Sequence, residues 1–346
     1  MSSDPLSDVL SSVRLHGAIF YYVSFRDEWV AETPASGELA DSLMPGSEHV
    51  LAYHLMLKGG CWAATIGEQP VRLGEGDIVM FPRGDSHVMS SAPGMRASRD
   101  EGDWRVSTRD APKPIAVAYY DGVLRPGELE PPDAASAVVV CGFVGCDLRP
   151  FNPLIGALPR LLHLQAGGVG AWVAPVLHQA VAESRQSRAG SSAMLGRVSE
   201  MVFVDAARRH LESIDEGGSG WLAALRDRHV GKAIQLMHER PAEPWTIDEL
   251  SRLVGLSRSA LHERFAALVG LPPMQYLTQW RIQCGANLLR QGDANVAAIA
   301  QEVGYESEAA FARAFKRVVG QAPGAWRRAQ RSARGAPTSG AKAPLR

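Results

Sequence analysis

Cysteine is scarce in this chain, with four residues in 346, at Cys61, Cys141, Cys146 and Cys284. Their number and scatter exclude a secreted scaffold stapled by disulfides. Long apolar runs are missing too, and without about 18 such residues in a row there is no conventional spanning helix. The opening MSSDPLSDVL has no basic start ahead of an apolar core, so it does not read as a secretory signal. There is no P-loop, dinucleotide fingerprint, HExxH or GxSxG motif. Ser, His and Asp lack a nucleophile turn to organise them, so no catalytic residue is assigned and the chain is expected not to be an enzyme. A cytoplasmic, nucleoid-associated protein is the expectation.

Charge of one sign is missing from the whole, at net −1, but not from the parts. Residues 1–220 hold 18 Lys/Arg against 27 Asp/Glu, whereas residues 221–346 hold 18 against 10. A basic C-terminal part beside an acidic N-terminal one suggests that one meets a polyanion and the other does not. At 46% hydrophobic and 21% charged, the composition is ordinary for a folded protein. The length suits two or three domains.

The N-terminal third reads as strands. VLAYHLML (50–57), CWAATI (61–66), DIVMF (77–81), PIAVAYY (114–120) and AVVVCGFVG (137–145) are short and rich in β-branched or aromatic residues. Glycine and proline punctuate them, which predicts a small barrel or sandwich. The charged stretch 91–113 reads as a long loop. From Asn152 the period becomes helical in NPLIGALPRLLHL (152–164), AWVAPVLHQAVAESR (171–185) and AMLGRVSEMVFVDAARRHLESI (193–214). Such helices either pack on the barrel or pair two copies into a homodimer. DEGGSG (215–220) has linker composition, and 331–346 reads as a disordered tail.

The basic part repeats itself. Thr246, Ile247, Leu250, Val254 and Gly255 recur 49 residues on as Asn295, Val296, Ile299, Val303 and Gly304. Leu261, Phe265, Val269, Gly270 and Pro273 recur 50 residues on as Phe311, Phe315, Val319, Gly320 and Pro323. Each copy predicts a helix capped by Thr246 or Asn295, a tight turn at a glycine, and a second helix capped by Ser257 or Ser307. That is a helix-turn-helix, whose second helix enters the major groove of double-stranded DNA. Segment 273–290 has the length and period of one helix joining the copies. A rigid connector would set both second helices in successive grooves, about 34 Å apart.

Residues 229–330 resemble the DNA-binding domain of the AraC/XylS family of bacterial transcription regulators. The resemblance is carried by PWTIDELSRLVGLSRSALHERFAALVGLPPMQYLTQWRI and VAAIAQEVGYESEAAFARAFKRVVGQAPGAWR. It implies a regulator, activator or repressor, that works on DNA together with RNA polymerase. The family's contacting positions fall on Arg258, Ser259, His262 and Glu263 in the first copy. In the second they fall on Glu308, Ala309, Ala312, Arg313 and Lys316. Arg258, Arg313 and Lys316 suit phosphates or guanine edges, and His262 suits a base acceptor. Glu263 could accept from cytosine or merely repel phosphate, and Glu308 with Ala309 leave the second copy fewer long donors.

Within the strand region, GDIVMFPRGDSH (76–87) has a G-x5-P-x-G-x2-H spacing that resembles the second signature of cupin barrels. Residues 15–150 resemble the cupin-type sensor of one branch of the same family, which includes regulators that respond to oxidants through thiols. The resemblance implies a barrel that binds a small-molecule effector or senses an oxidant. Metal-binding cupins use an HxH pair and a Glu before this signature, together with its His. Here only His54 stands in YHLMLKGG, with Lys58 where a carboxylate is expected. His54 and His87 therefore read as effector contacts, as hydrogen-bonded polar positions, or as a metal pair completed from elsewhere. A metal-dependent cupin enzyme with a DNA-binding tail is the alternative reading.

Cys61, Cys141 and Cys146 are candidate redox-sensing thiols or buried structural ones. On a straight strand Cys141 and Cys146 face opposite sides, about 16 Å apart. A disulfide needs Cα atoms within about 7 Å, so the pair closes only if Gly142 and Gly145 bend the chain. Cys61 would lie about 13 Å from His54 in a simple hairpin, and Cys284 reads as core. The expected architecture is α+β and multi-domain. It has an N-terminal cupin-like β-barrel with helices (1–150), a helical buttress or dimerisation region with linker (151–220), a C-terminal all-α domain with two helix-turn-helix motifs (221–330) and a tail (331–346).

Overall fold

The computed structural model describes residues 4–97, 115–120, 123–127, 134–167, 189–215 and 218–335, with a few positions between 172 and 179. The chain forms two compact units, one of residues 14–147 and 155–216, the other of 1–13, 148–154 and 217–346. Helix α1 (Pro5–Ser12) therefore belongs with the C-terminal helices.

The first unit is a two-sheet barrel. In chain order its strands are β1 (Leu15–Phe25), β2 (Val30–Thr33), β3 (His49–Lys58), β4 (Cys61–Thr65), β5 (Val71–Leu73), β6 (Ile78–Phe81), β7 (His87–Ser90), β8 (Ile115–Tyr120), β9 (Val123–Pro126), β10 (Ala137–Cys146) and β11 (Leu162–Leu164). One sheet runs β11-β6-β3-β10-β1-β8-β9 and the other β2-β7-β4-β5. Alternation along the strands turns Met56, Val79, Phe81 and Val139 of the first sheet toward Cys61, Ala63, Leu73 and Met89 of the second. All five expected strands are present, as β3, β4, β6, β8 and β10. Cys61, however, does not close a simple hairpin with His54, because β3 and β4 lie in different sheets.

Helix α2 (Ser36–Leu43) packs on β3. The expected helix over 152–164 is a correction. Only α3 (Pro153–Ala157) is helical, Pro159 follows, and Leu162–Leu164 pairs antiparallel with β6. Proline cannot donate a helix hydrogen bond, and three alternating residues complete the edge of a sheet instead. Helix α4 (Ser191–Ser213) is present as expected and packs on β1, burying Val202, Phe203, Ala206 and Ala207. Gly17 of β1 and Gly196 of α4 let the backbones touch: a Cβ on Gly17 would lie 2.5 Å from the Gly196 carbonyl oxygen. Residues 98–113 of the expected loop, and nearly all of the expected helix 171–185, lie outside the described residues.

The second unit is helical: α5 (Trp221–Arg226), α6 (Val230–Glu239), α7 (Ile247–Val254), α8 (Arg258–Val269), α9 (Pro273–Gln291), α10 (Val296–Glu302), α11 (Glu308–Val319) and α12 (Pro323–Gly335). The caps read from the sequence are formed. Thr246, Ser257, Asn295 and Ser307 each accept a backbone N–H three residues on, at 2.7–3.2 Å. Gly255 closes α7 in the left-handed region at φ 75°, which costs glycine nothing. A core of Ile282, Leu289, Ile299, Phe311, Phe315 and Trp326 joins the second copy to the connector α9. Residues 331–335 of the expected tail continue α12, and the remainder lies outside the described residues. Gln283, fully buried on α9, donates to the Ser12 carbonyl and accepts from the Phe151 N–H, both at 2.9 Å. No described helix is long and apolar enough to cross a membrane.

Candidate functional site

Two constellations stand out, one in each unit. In the helical unit, each helix-turn-helix pair buries one face of its second helix and leaves the other bare. Helix α8 turns Leu261 and Phe265 inward, while Arg258, Ser259, His262 and Glu263 are exposed. Helix α11 buries Phe311, Ala314 and Phe315 and exposes Glu308, Ala309, Arg313 and Lys316, with Ala312 half-buried. Every position expected to meet DNA except Ala312 is thus fully on the surface. Arg258 lies 3.0 Å from Asp248, but both side chains are about two-thirds exposed. A pair so hydrated holds its partners weakly, leaving the guanidinium free to exchange a carboxylate for a phosphate.

In the barrel, His54 and His87 meet across the interior, one from β3 and one from β7 in the opposite sheet. Their Nε2 atoms are 2.9 Å apart, and Phe81 stacks on the His87 ring at 3.8 Å. On its far side, His54 Nδ1 is 3.1 Å from the Cys141 Sγ on β10. His87 Nδ1 is 3.0 Å from the Asp85 carbonyl oxygen, which can only accept. That carbonyl fixes every proton in the line. His87 carries hydrogen on Nδ1, so its Nε2 accepts from His54 Nε2–H. The bare His54 Nδ1 then accepts from the Cys141 thiol.

Burial keeps this line neutral at rest. Desolvation, then the neighbouring His87, holds His54 well below the ordinary histidine range. Burial takes His87 down to about 4, against the pull of the Asp85 carbonyl. The Cys141 thiol is pushed up to about 12 by burial, with Cys61 adding to the effect. Each shift is what a dry interior does to the charged form of a group.

No third ligand joins the pair among the described residues. The pair's two Nε2 atoms are committed to each other, and no cluster of three His, Cys, Asp or Glu able to hold a metal ion occurs among the described residues. The four cysteines are free thiols. Cys61 directs its hydrogen to the Met56 sulfur at 3.4 Å. Cys146 sits at the other end of β10, opposite Leu15 and His49. Gly142 and Gly145 do not bend β10 to bring Cys146 back to Cys141. They leave room for the Tyr53 and Ser47 side chains, which a Cβ would meet at 2.2 and 2.3 Å. Cys284 is half-buried against the core around α9.

One polar group here escaped the sequence reading. Thr65 on β4 is directly opposite His87 in the ladder, is 1% exposed, and its hydroxyl has no hydrogen-bond partner. Its signal was the β4–β7 register, which the sequence hides because β7 is only four residues long.

Comparison with known proteins matches both parts of the chain. A family described as cupin matches residues 4–212, and one described as a helix-turn-helix domain matches residues 250–329. A putative AraC-like transcription regulator of Streptomyces antibioticus is 32% identical over 94% of this chain and 98% of its own. The HTH-type transcriptional regulator AlkR of Acinetobacter baylyi is 27% identical over 92% of this chain and 97% of its own. Among solved structures, the DNA-binding domain of AdpA in complex with a target DNA is 28% identical. It covers 32% of this chain and 98% of its own, with a TM-score of 0.31.

Proposed function

Because the chain belongs to the AraC-type transcription regulators with an N-terminal cupin domain, we propose that it reads DNA with both helix-turn-helix pairs under control of its barrel. The observation that carries this is the repeated, fully capped geometry of α7–α8 and α10–α11, each presenting a polar outer face. Two capped recognition helices on one connector suit two half-sites in successive grooves. The basic surplus of residues 221–346 supplies the sequence-independent attraction to phosphate. In this reading Arg258, Ser259, His262 and Glu263, with Glu308, Ala309, Ala312, Arg313 and Lys316, face the DNA. RNA polymerase is the further partner that the family implies, and a homodimer built through helices beyond the barrel core is compatible with it.

Control falls to the barrel interior, where His54, His87 and Cys141 form a buried polar line. A small molecule or oxidant that meets this line favours one population of DNA-binding states over another, and so must bind the two with different affinity. The protein acts by binding, not by turnover.

The test is fluorescence anisotropy of the reduced full chain against its own upstream intergenic DNA and a scrambled duplex of equal length. Sequence-specific binding at least about a thousandfold tighter than to the scramble is expected at physiological salt. Equal affinity for both duplexes would reduce the protein to a nonspecific DNA binder and end the regulator reading.

A further inference from the structure

From the Cys141–His54–His87 line we infer that Cys141 is a nucleophilic thiol which captures a small, uncharged α,β-unsaturated carbonyl compound, with His54 taking the thiol proton. The inference rests on the barrel being the sensing domain and names the chemistry of its effector. Of the three barrel cysteines, Cys141 alone is only half-buried, and its Sγ lies 3.1 Å from the His54 Nδ1; Cys61 and Cys146 are buried. A thiol, a base in hydrogen-bond contact, and a third group orienting that base make the geometry of an activated nucleophile; because burial keeps thiol and imidazole neutral at rest, the proton moves as the carbon–sulfur bond forms and not before it. Here the orienting group is His87, held in turn by the Asp85 carbonyl.

The step balances without any further reagent. The Cys141 Sγ forms a bond to the β-carbon of the electrophile, and the carbon–carbon π bond opens toward the α-carbon. The thiol proton passes to His54 Nδ1 and returns to the α-carbon, leaving a thioether and a neutral His54. While His54 is protonated, its Nε2–H donates to the bare His87 Nε2, so the transient cation is shared between two rings. No charge persists in the dry interior before or after.

A second observation points to the same ligand. The buried, unpartnered Thr65 hydroxyl lies opposite His87, and a carbonyl oxygen is the acceptor such an orphan donor lacks. The surrounding side chains, Met56, Val79, Phe81, Val139 and Phe143, are apolar and select an uncharged molecule. The titratable groups near Cys141 include His54 and Tyr53 on β3, Tyr21 opposite it on β1 and Cys61 on β4, with His87 on the far side of His54. Oxidation to a disulfide is less well served, because Cys61 points its hydrogen at Met56 and Cys146 lies along the strand.

The test treats the reduced full chain with methyl vinyl ketone and maps the adduct by mass spectrometry. Expected is one thioether, on Cys141, with a rate that changes less than about threefold from pH 6 to 8, because the base is built in. A thiol reacting through its free thiolate gains about tenfold per pH unit. His54→Asn keeps a hydrogen-bond acceptor but takes no proton, and should slow the reaction at least about 100-fold. Labelling at Cys61 or Cys146 first, or a steep pH profile in the wild-type protein, would overturn the inference without any variant. The alkylated protein should differ at least about fivefold from the free protein in affinity for the specific DNA. An adduct that leaves that affinity within twofold removes Cys141 as the effector site. Failure of the adduct with specific DNA binding intact sinks this inference alone. Loss of specific DNA binding by the untreated protein sinks the regulator reading itself.

Discussion

Gly142 shows how much of the barrel hangs on a missing side chain. It follows Cys141 on β10, and the ring of Tyr53 on β3 lies against its Cα from the outer face of the sheet. Tyr53 is fully buried, its hydroxyl donates to Ser199 Oγ at 2.7 Å, and that oxygen donates onward to the Leu195 carbonyl at 2.9 Å. One glycine thus lets helix α4 be tied to the sheet that carries Cys141 and His54. Gly142→Ala should force the ring aside and cost about 1–3 kcal/mol, as overpacking does. A lower thermal midpoint with α4 less protected in hydrogen exchange is expected. An unchanged midpoint would mean that Tyr53 tilts freely and the clearance is incidental. In the sequence Gly142 reads as a potential bend, because glycine announces conformational freedom and gives no hint that a neighbour needs the space. His54 and His87 were legible as a polar pair. Their link to Cys141 was not, because it depends on β3 and β10 being adjacent, 87 positions apart in the chain.

Elements were legible in proportion to how local their causes are. The caps of α7, α8, α10 and α11 are set within four residues, and all four stand where the sequence placed them. Strand β11 went the other way: an apolar stretch compatible with a helix became a strand because β6 offered it an open edge. That distinction separates two predictions on the recognition helices. Arg313 on α11 is exposed, with a plain apolar face beneath it, so its expected partner is phosphate. Arg313→Ala should weaken binding to every duplex alike and reduce the salt slope by about one. His262 lies on the outer face of α8, and His262→Ala should change the order of preference among related sites with little change in slope. Binding-site selection before and after each change checks both. Unaltered affinity for Arg313→Ala, or an unaltered preference profile for His262→Ala, removes that residue from the interface.

At the scale of the molecule, the grouping of residues 1–13 and 148–154 with the C-terminal helices has no local signature. It is written in Gln283, a buried amide whose partners are backbone groups more than 130 positions away, and in His238, 3.3 Å from the Asp8 carboxylate. Both units therefore hold a buried histidine, and that makes stability sensitive to acid in each. Burial lowers His54 and His87 in the barrel, and it lowers His238 in the helical unit although Asp8 pulls it back. Unfolded, these rings take up protons near pH 6.5, while the folded barrel refuses them until pH falls toward the His87 value of about 4. Between those limits the unfolded state binds more protons than the folded one, so stability falls as pH drops. The stability is fully present above the unfolded value, and a fully buried histidine forfeits about 2 kcal/mol between pH 7 and 5. Urea unfolding of the full chain should show its midpoint falling across that interval. The barrel should lose more than the helical unit, because the Asp8 carboxylate offers His238⁺ a partner while His54 and His87 have only each other. A midpoint that holds steady from pH 7 to 5 would mean that water reaches the histidine pair, and the neutral, dry line on which Cys141 depends would go with it.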